Sequence, residues 1–161
     1  MSSKKLYRPN VGIMVLNGKG EVFAAHRNDA REQAWQMPQG GIDKGEDEYA
    51  AALRELYEET GISSVRLIAE STKWYTYDFP SGVHFISEKK KSFDGQTQKW
   101  FLFEFIGEES EINLDRPDPE FNQWKWMPAE KIVELIVPFK RDVYRQVVDE
   151  FMPFIDAVRN G

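Results

Sequence analysis

A mixed β-sheet held between helices, an α/β/α sandwich, is the fold class predicted by the order of the apolar segments. Two strand-length runs open the chain, a helix-length segment follows, further strand-length runs come next, and an amphipathic segment closes it. That order lacks the regular strand–helix alternation of a doubly wound parallel sheet. Composition agrees: 161 residues, 41% hydrophobic, with five Trp, six Tyr and eleven Phe, supply enough apolar surface for a core. A single domain over residues 1–161 is expected, with residues 1–6 as a flexible arm and no repeat or linker.

Each element has its own local reason. Residues 11–16 are an apolar run with β-branched members, hence a strand. Asn17, Gly18, Lys19 and Gly20 are turn chemistry, and residues 21–27 return as the second strand of a hairpin, with Arg27 among its outward residues. Residues 28–33 are polar and read as a loop. The string AWQMPQGG is a short extended piece ending in Gly40 and Gly41, which let backbone approach a metal or a phosphate closely.

Residues 40–62, GGIDKGEDEYAAALRELYEETGI, enter a helix through an acidic turn that Asp47 or Glu46 caps, and Gly61 suits the left-handed position that ends it. Residues 65–71 and 74–79 are strands, while residues 81–95 read mainly as a long loop. Residues 96–106, QTQKWFLFEFI, form the longest strand and are too apolar for an exposed edge. An acidic loop at 108–116 precedes a strand with alternating aromatics at 121–127 and a short helix at 128–135. Residues 139–158 read as an amphipathic helix, with Val143, Val147, Phe151, Phe154 and Val158 at helical spacing and Pro153 as a kink or interruption.

Several functions are excluded at this level. The formal charge of −6 argues against broad nucleic-acid binding by the whole surface, and DNA is not an expected partner. The absence of cysteine removes disulfide and thiol chemistry and fits a reducing compartment. No apolar run approaches the ~20 residues of a membrane span. The opening MSSKKLYRPN lacks the apolar segment of a signal peptide, so a cytoplasmic protein is expected. His26 and His84 are isolated and read as packing or surface residues. Lys89, Lys90 and Lys91 read as a solvated charge run.

The helix carries the chemistry. At roughly 100° per residue, Glu55, Glu58 and Glu59 share one arc, and Tyr49, Leu53 and Leu56 share a neighbouring arc that can dock on a sheet. Acidic residues on a helix are ordinarily a solvated face, and Arg54 with Glu58 is a pair that supports any exposed helix. Carboxylates concentrated on one face repel unless cations are bound, and hard divalent ions favour such oxygen ligands. Divalent ions also neutralise phosphate charge and lower the pKa of a bound water, which suits hydrolysis of a phosphoanhydride bond.

Gly40, Glu46, Arg54, Glu55, Leu56, Glu58, Glu59, Gly61 and Ile62 fill every specified position of G-x5-E-x7-R-E-U-x-E-E-x-G-U, where U is aliphatic. This pattern resembles the Nudix box. The resemblance continues through YRPNVGI, AWQMPQGGI, GQTQKWFL, EFNQWKW and VPFKRDVY, over nearly the entire chain. These strings are similar to those of bacterial RNA pyrophosphohydrolases. They are also similar to the diadenosine polyphosphate hydrolases of bacteria and plants, to which WYTYDFP adds.

The resemblance implies a Nudix-type α/β/α sandwich and a hydrolase acting on phosphoanhydride bonds. It implies that Glu55, Glu58 and Glu59, with the Gly40 carbonyl, ligate Mg²⁺, or Mn²⁺ or another divalent ion. Glu120 looks like an extra carboxylate that completes a metal site or acts on the attacking water, so Glu58, Glu59 and Glu120 stand open as the catalytic base. Glu46, Arg54 and Gly61 look structural within the motif. Phe139 is implied to pack on a base and Lys140 to approach phosphate, with Arg8, Arg27 and Gln96 as further substrate contacts.

Two substrates fit: the 5′-triphosphate end of RNA, cleaved to a 5′-monophosphate, and dinucleoside polyphosphates, with diadenosine tetraphosphate giving ATP and AMP. A non-catalytic nucleotide or RNA sensor is the competing class, against which the complete box argues. A sanitising enzyme for oxidised mononucleotides would share the box but not its context. No protein partner can be read from the sequence.

Overall fold

The computed structural model describes residues 4–27, 34–86 and 92–161. The strands are β1 (Tyr7–Leu16), β2 (Val22–Arg27), β3 (Trp35–Gln36), β4 (Gln39–Gly41), β5 (Val65–Glu70), β6 (Tyr75–Asp78), β7 (Phe85–Ile86), β8 (Ser92–Phe93), β9 (Gly95–Phe105) and β10 (Phe121–Met127). The helices are α1 (Glu48–Thr60), α2 (Ala129–Leu135) and α3 (Arg141–Asn160), with 3-10 turns at Glu109–Glu111 and Pro138–Lys140.

β1 is the spine of the sheet. It runs parallel to β9 from Tyr7 opposite Gly95 to Leu16 opposite Glu104. Its other edge is shared, because β4 pairs with Asn10, Val11 and Gly12 while β2 pairs at Leu16. β10 lies beyond β2, and β5 and β6 divide the far edge of β9. The pairings other than that of β1 with β9 are antiparallel, so the sheet is mixed.

Strand alternation divides the core into two layers. Val11, Ile13, Val15, Phe23, Phe101 and Phe103 pack with Ala51, Ala52 and Leu56 of α1. Met14, Leu16, Ala24, Trp100 and Leu102 face the opposite way, towards Ile132 of α2 and Tyr144, Val147 and Phe151 of α3. Each fully buried large side chain contributes about 1.5–3 kcal/mol. The sheet is therefore covered on both faces, as the sandwich requires.

Three features of the closing helix differ from the sequence expectation. Pro153 does not interrupt α3, which runs unbroken through it. Pro153 and Asp149 both lie on the exposed face, where water can take the carbonyl that loses its helical donor. The buried stripe ends on Ile155, whereas Phe154 is 41% exposed. The α-helix also starts two residues later than expected, after the 3-10 turn, because Pro138 sits at the head of that turn. Elsewhere Tyr49 docks only partly on the sheet, its ring 6.0 Å from that of Phe101.

The expected loop at 81–95 contains the short β7–β8 pair, and its Lys89, Lys90 and Lys91 lie outside the described residues, as does the polar stretch 28–33. In the N-terminal arm, Lys5 bonds to Asp78 at 2.6 Å and Leu6 N–H to Asp94 at 2.8 Å.

α1 is fixed at three points. Asp47 caps its start, accepting from Ala50 N–H at 3.2 Å, and Gly61 ends it at φ 77°, donating to the Tyr57 carbonyl. Arg54 ties the helix to the preceding turn with all five guanidinium N–H groups engaged. Two reach Glu46 at 2.8 and 2.9 Å, one the Gly41 carbonyl at 2.9 Å, and two the carboxylates of Glu55 at 2.9 Å and Glu58 at 3.2 Å. These bonds join Arg54 and Glu46, the two residues that the motif pairs across the turn and the helix.

Substituting Gly12 by Ala places a Cβ about 2.3 Å from Cε2 of the buried Trp100 ring. We expect Gly12→Ala to lower stability by about 1–3 kcal/mol in urea unfolding. Hydrogen bonds from Arg54, with that from Asp43 N–H, hold the Glu46 carboxyl down at about 2, against an ordinary 4.5. A carboxyl depressed on folding stabilises fully above its unfolded value and loses that contribution as pH falls through the folded value. The stability gap between the protein and Glu46→Gln, about 1 kcal/mol at neutral pH, should close between pH 4.5 and about 2.

Candidate active site

The cleft lies where β2 and β4 divide the edge of β1, and its volume is about 480 Å³. Glu55 and Glu59 reach it from α1, Arg8 and Asn10 from β1, Arg27 from the end of β2, and Gln96 from β9. Glu120, just before β10, and Phe139 with Lys140, just before α3, complete the wall with Gly40. The sequence-predicted substrate contacts and four of the five predicted metal ligands therefore share one cavity. Glu58 opens instead onto a neighbouring hollow of about 420 Å³ that also contains Glu55, Glu59 and Glu120. The carboxylates form the partition between the two.

Close approach explains the paired glycines. A Cβ on Gly40 would lie 2.0 Å from the Glu55 carboxyl carbon, and one on Gly41 would lie 2.2 Å from Arg8 Nη2. The turn thus lets a carboxylate and a guanidinium rest directly on backbone.

The acidic wall is desolvated. Glu59 is 8% exposed, and its Oε2 is buried without a hydrogen-bond partner among the described residues. Burial first, and then the charge of Glu120, push its carboxyl well above the usual range. Burial also raises Glu55, against the pull of Arg54. Like-charged, incompletely satisfied oxygens of this kind suit a hard divalent cation, whose charge offsets both the repulsion and the burial. Among the described residues no three acidic or imidazole groups form a closed ligand cluster, since Arg54 draws Glu55 and Glu58 towards itself.

The opposite wall is cationic and aromatic. Arg27 lies 3.9 Å from Glu120. Lys140 is buried at the cleft floor, its Nζ 3.2 Å from Gln39 Oε1, and burial followed by the Arg27 charge brings its ammonium down to about 8. That Nζ stands 5.6 Å from the Tyr77 ring centre and 5.9 Å from that of Phe139. Phe139 is 38% exposed, so its ring belongs to the cleft wall and not to the core, and it packs on Tyr77 at 5.7 Å. His26 pairs with Asn122 and His84 with Asp94, and neither lines the cleft or the neighbouring hollow.

Sequence reasoning did not single out Tyr77, Phe79 or Gln39, which line the same cavity. Tyr77 was findable, since it alternates with Tyr75 and faces inward opposite Gln96. Gln39 was less so, because a glutamine beside a glycine turn has no signature of its own.

Residues 6–147 match the NUDIX domain family. An RNA pyrophosphohydrolase of Roseobacter denitrificans is 53% identical over 147 residues, covering 90% of this chain and 91% of that protein. An RNA pyrophosphohydrolase of Brucella anthropi is 51% identical over 157 residues, with 90% and 89% covered. Among solved structures, the E. coli dihydroneopterin triphosphate pyrophosphohydrolase superposes with a TM-score of 0.69 at 21% identity, over 91% of this chain and 99% of its own. A C. elegans Ap4A hydrolase gives 0.59 at 19%, over 89% and 98%. At these identities the structural likeness concerns the fold, which agrees with the sandwich described above. By the match over most of its length, this chain belongs to the Nudix family.

Proposed function

We propose that this chain is a Nudix hydrolase that removes pyrophosphate, or phosphate in steps, from the 5′-triphosphate end of RNA. The 5′-monophosphate left behind is the form that opens a messenger RNA to decay. The observation that carries this reading is one cavity in which carboxylates adjoin cations and cations adjoin aromatic rings. Arg27 stands beside Glu120, and Lys140 beside Tyr77 and Phe139. Relatives at just over half identity carry the name RNA pyrophosphohydrolase, which supports the same substrate. Residues 1–161 act as a single domain in this reading, and the enzyme is cytoplasmic. Among the described residues no helix is long and apolar enough to cross a membrane.

In this mechanism Arg8, Arg27, Gln96 and Lys140 hold the polyphosphate and its neighbouring base and offset charge on the departing pyrophosphate. Phe139 presents its face to a nucleobase, a contact of ~1–3 kcal/mol in single-strand binders. The Gly40 carbonyl with Glu55, Glu58, Glu59 and Glu120 would hold Mg²⁺ or Mn²⁺. When bound, the cation supplies neutralisation of phosphate charge and a more acidic water. One of Glu58, Glu59 and Glu120 takes the proton of the attacking water as its oxygen bonds to phosphorus and the P–O bond to pyrophosphate breaks. Diadenosine tetraphosphate fits the same cavity, because an aromatic face accepts adenine as readily as the base of an RNA end.

A side-by-side kcat/KM on a short 5′-triphosphate RNA and on diadenosine tetraphosphate, with products resolved, tests the proposal. The RNA should be preferred, yielding 5′-monophosphate ends. Preferential release of ATP and AMP from the dinucleotide would make the enzyme a dedicated dinucleoside polyphosphate hydrolase, and turnover of neither would restore the sensor. Glu59→Gln should lower kcat by roughly 10²-fold or more while leaving the melting temperature unchanged or raised, since a buried like charge is removed. Phe139→Ala should reduce kcat/KM on the RNA by about tenfold and leave the affinity for inorganic tripolyphosphate unchanged.

A further inference from the structure

Asn10 on β1 is 1% exposed and lines the cleft, yet its Nδ2 has no hydrogen-bond partner among the described residues. An unpaired buried amide donor is an exception in a folded protein and calls for a ligand. Its orientation is dictated from below. The indole Nε1–H of Trp100 can only donate, and it donates to Gln98 Oε1 at 3.1 Å. Gln98 therefore turns its Nε2 away, giving one hydrogen to Asn10 Oδ1 at 2.8 Å and the other to Gln39 Oε1 at 3.1 Å. Lys140 Nζ donates to the same Gln39 oxygen at 3.2 Å. A flipped Asn10 would set its NH₂ against the NH₂ of Gln98, and a flipped Gln39 would face both that NH₂ and the Lys140 ammonium. The chain of bonds has one consistent polarity.

We propose that Trp100 is a positioning residue that sets this polarity through Gln98, so that Asn10 Nδ2 donates to a phosphate oxygen of the substrate's polyphosphate. Phosphate, and not the base, is assigned because Asn10 pairs opposite Gly41, on which the Arg8 guanidinium rests. The aromatic wall instead gathers around Lys140 Nζ, 5.6 Å from the Tyr77 ring centre and 5.9 Å from that of Phe139. The inference rests on the polyphosphate reading of the cleft. Trp100 touches no substrate, since its ring lies in the core under Gly12 and against Tyr144. Its contribution is to make the floor a donor surface, which accepts oxygens that bear no hydrogen and rejects groups that donate.

Two variants test this, each first checked by circular dichroism and thermal melting. Asn10→Asp keeps the oxygen that Gln98 needs and exchanges the unpaired NH₂ for an acceptor. Trp100→Phe keeps an aromatic ring in the core and removes the indole donor without adding charge, and the melting check reports the cavity that the smaller ring leaves. Asn10→Asp should raise KM for a short 5′-triphosphate RNA by about tenfold or more, and Trp100→Phe by about threefold, with kcat held within about twofold in both. The inhibition constant of inorganic tripolyphosphate should rise in step.

A folded Trp100→Phe with the parent KM would overturn the positioning role, and it alone decides that point if Asn10→Asp does not fold. A raised KM with an unchanged tripolyphosphate constant would move the contact to the base and defeat the phosphate assignment. A parent protein that cleaves neither RNA nor dinucleotide would instead defeat the underlying functional reading, a result distinct from either.

Discussion

The site depends on how one guanidinium distributes its charge. Arg54 hydrogen-bonds to three carboxylates and a carbonyl and lies 3.6 Å from a fourth carboxylate, Asp43, binding the turn at Gly41 and Glu46 to the first acidic residues of the working face. Without it, Glu55 and Glu58 would stand next to the buried Glu59 with only water to screen them, and like charges so placed disfavour the helix that carries them. With it, the acidic face is held together but incompletely neutralised. Glu59 keeps an unpaired oxygen and Glu120 adds to the repulsion, so the arrangement retains affinity for a further positive charge. The motif's arginine and its outlying glutamate are thus part of the same electrostatic balance as Glu55, Glu58 and Glu59.

The sheet supplies the opposing surface. β1 cannot keep β2 along its whole edge, because β4 occupies positions 10–12, and the gap so formed is where side chains from both halves of the chain converge. Arg8, Gln96 and Tyr77 sit in register on three neighbouring strands. Cations, amides and an aromatic ring therefore reach the cavity from rigid elements, which limits how far any of them can drift relative to the others.

Much of this was legible in the chain itself. The apolar, β-branched run at 11–16 and the long aromatic run at 96–106 gave the two core strands, and the capping residues Asp47 and Gly61 bounded α1 to within a residue. The spacing of Glu55, Glu58 and Glu59 on one helical face was enough to locate the acidic wall. What was not legible depends on tertiary context. Pro153 is tolerated because its side of α3 faces water, and the stripe that the sheet covers runs through Val148, Phe151 and Ile155, leaving Phe154 at its edge. Glu58 lines only the second hollow, whereas Glu55 and Glu59 line both, a matter of side-chain direction that spacing cannot give. The amide chain from Trp100 to Asn10 is built from residues whose types announce nothing, and only their juxtaposition assigns donors and acceptors.

The parallel pairing of β1 with β9 has a consequence for how the molecule comes into being. Partners such as Tyr7 and Gly95 are separated by most of the first hundred residues, and closing so long a loop precedes any gain from the central pair. A growing chain that has completed the entire acidic helix still lacks the strand on which that helix and the cleft both rest. Glu120 and Lys140 come later again. During synthesis the recognisable motif therefore exists well before the cavity does, and the late strands complete the enzyme.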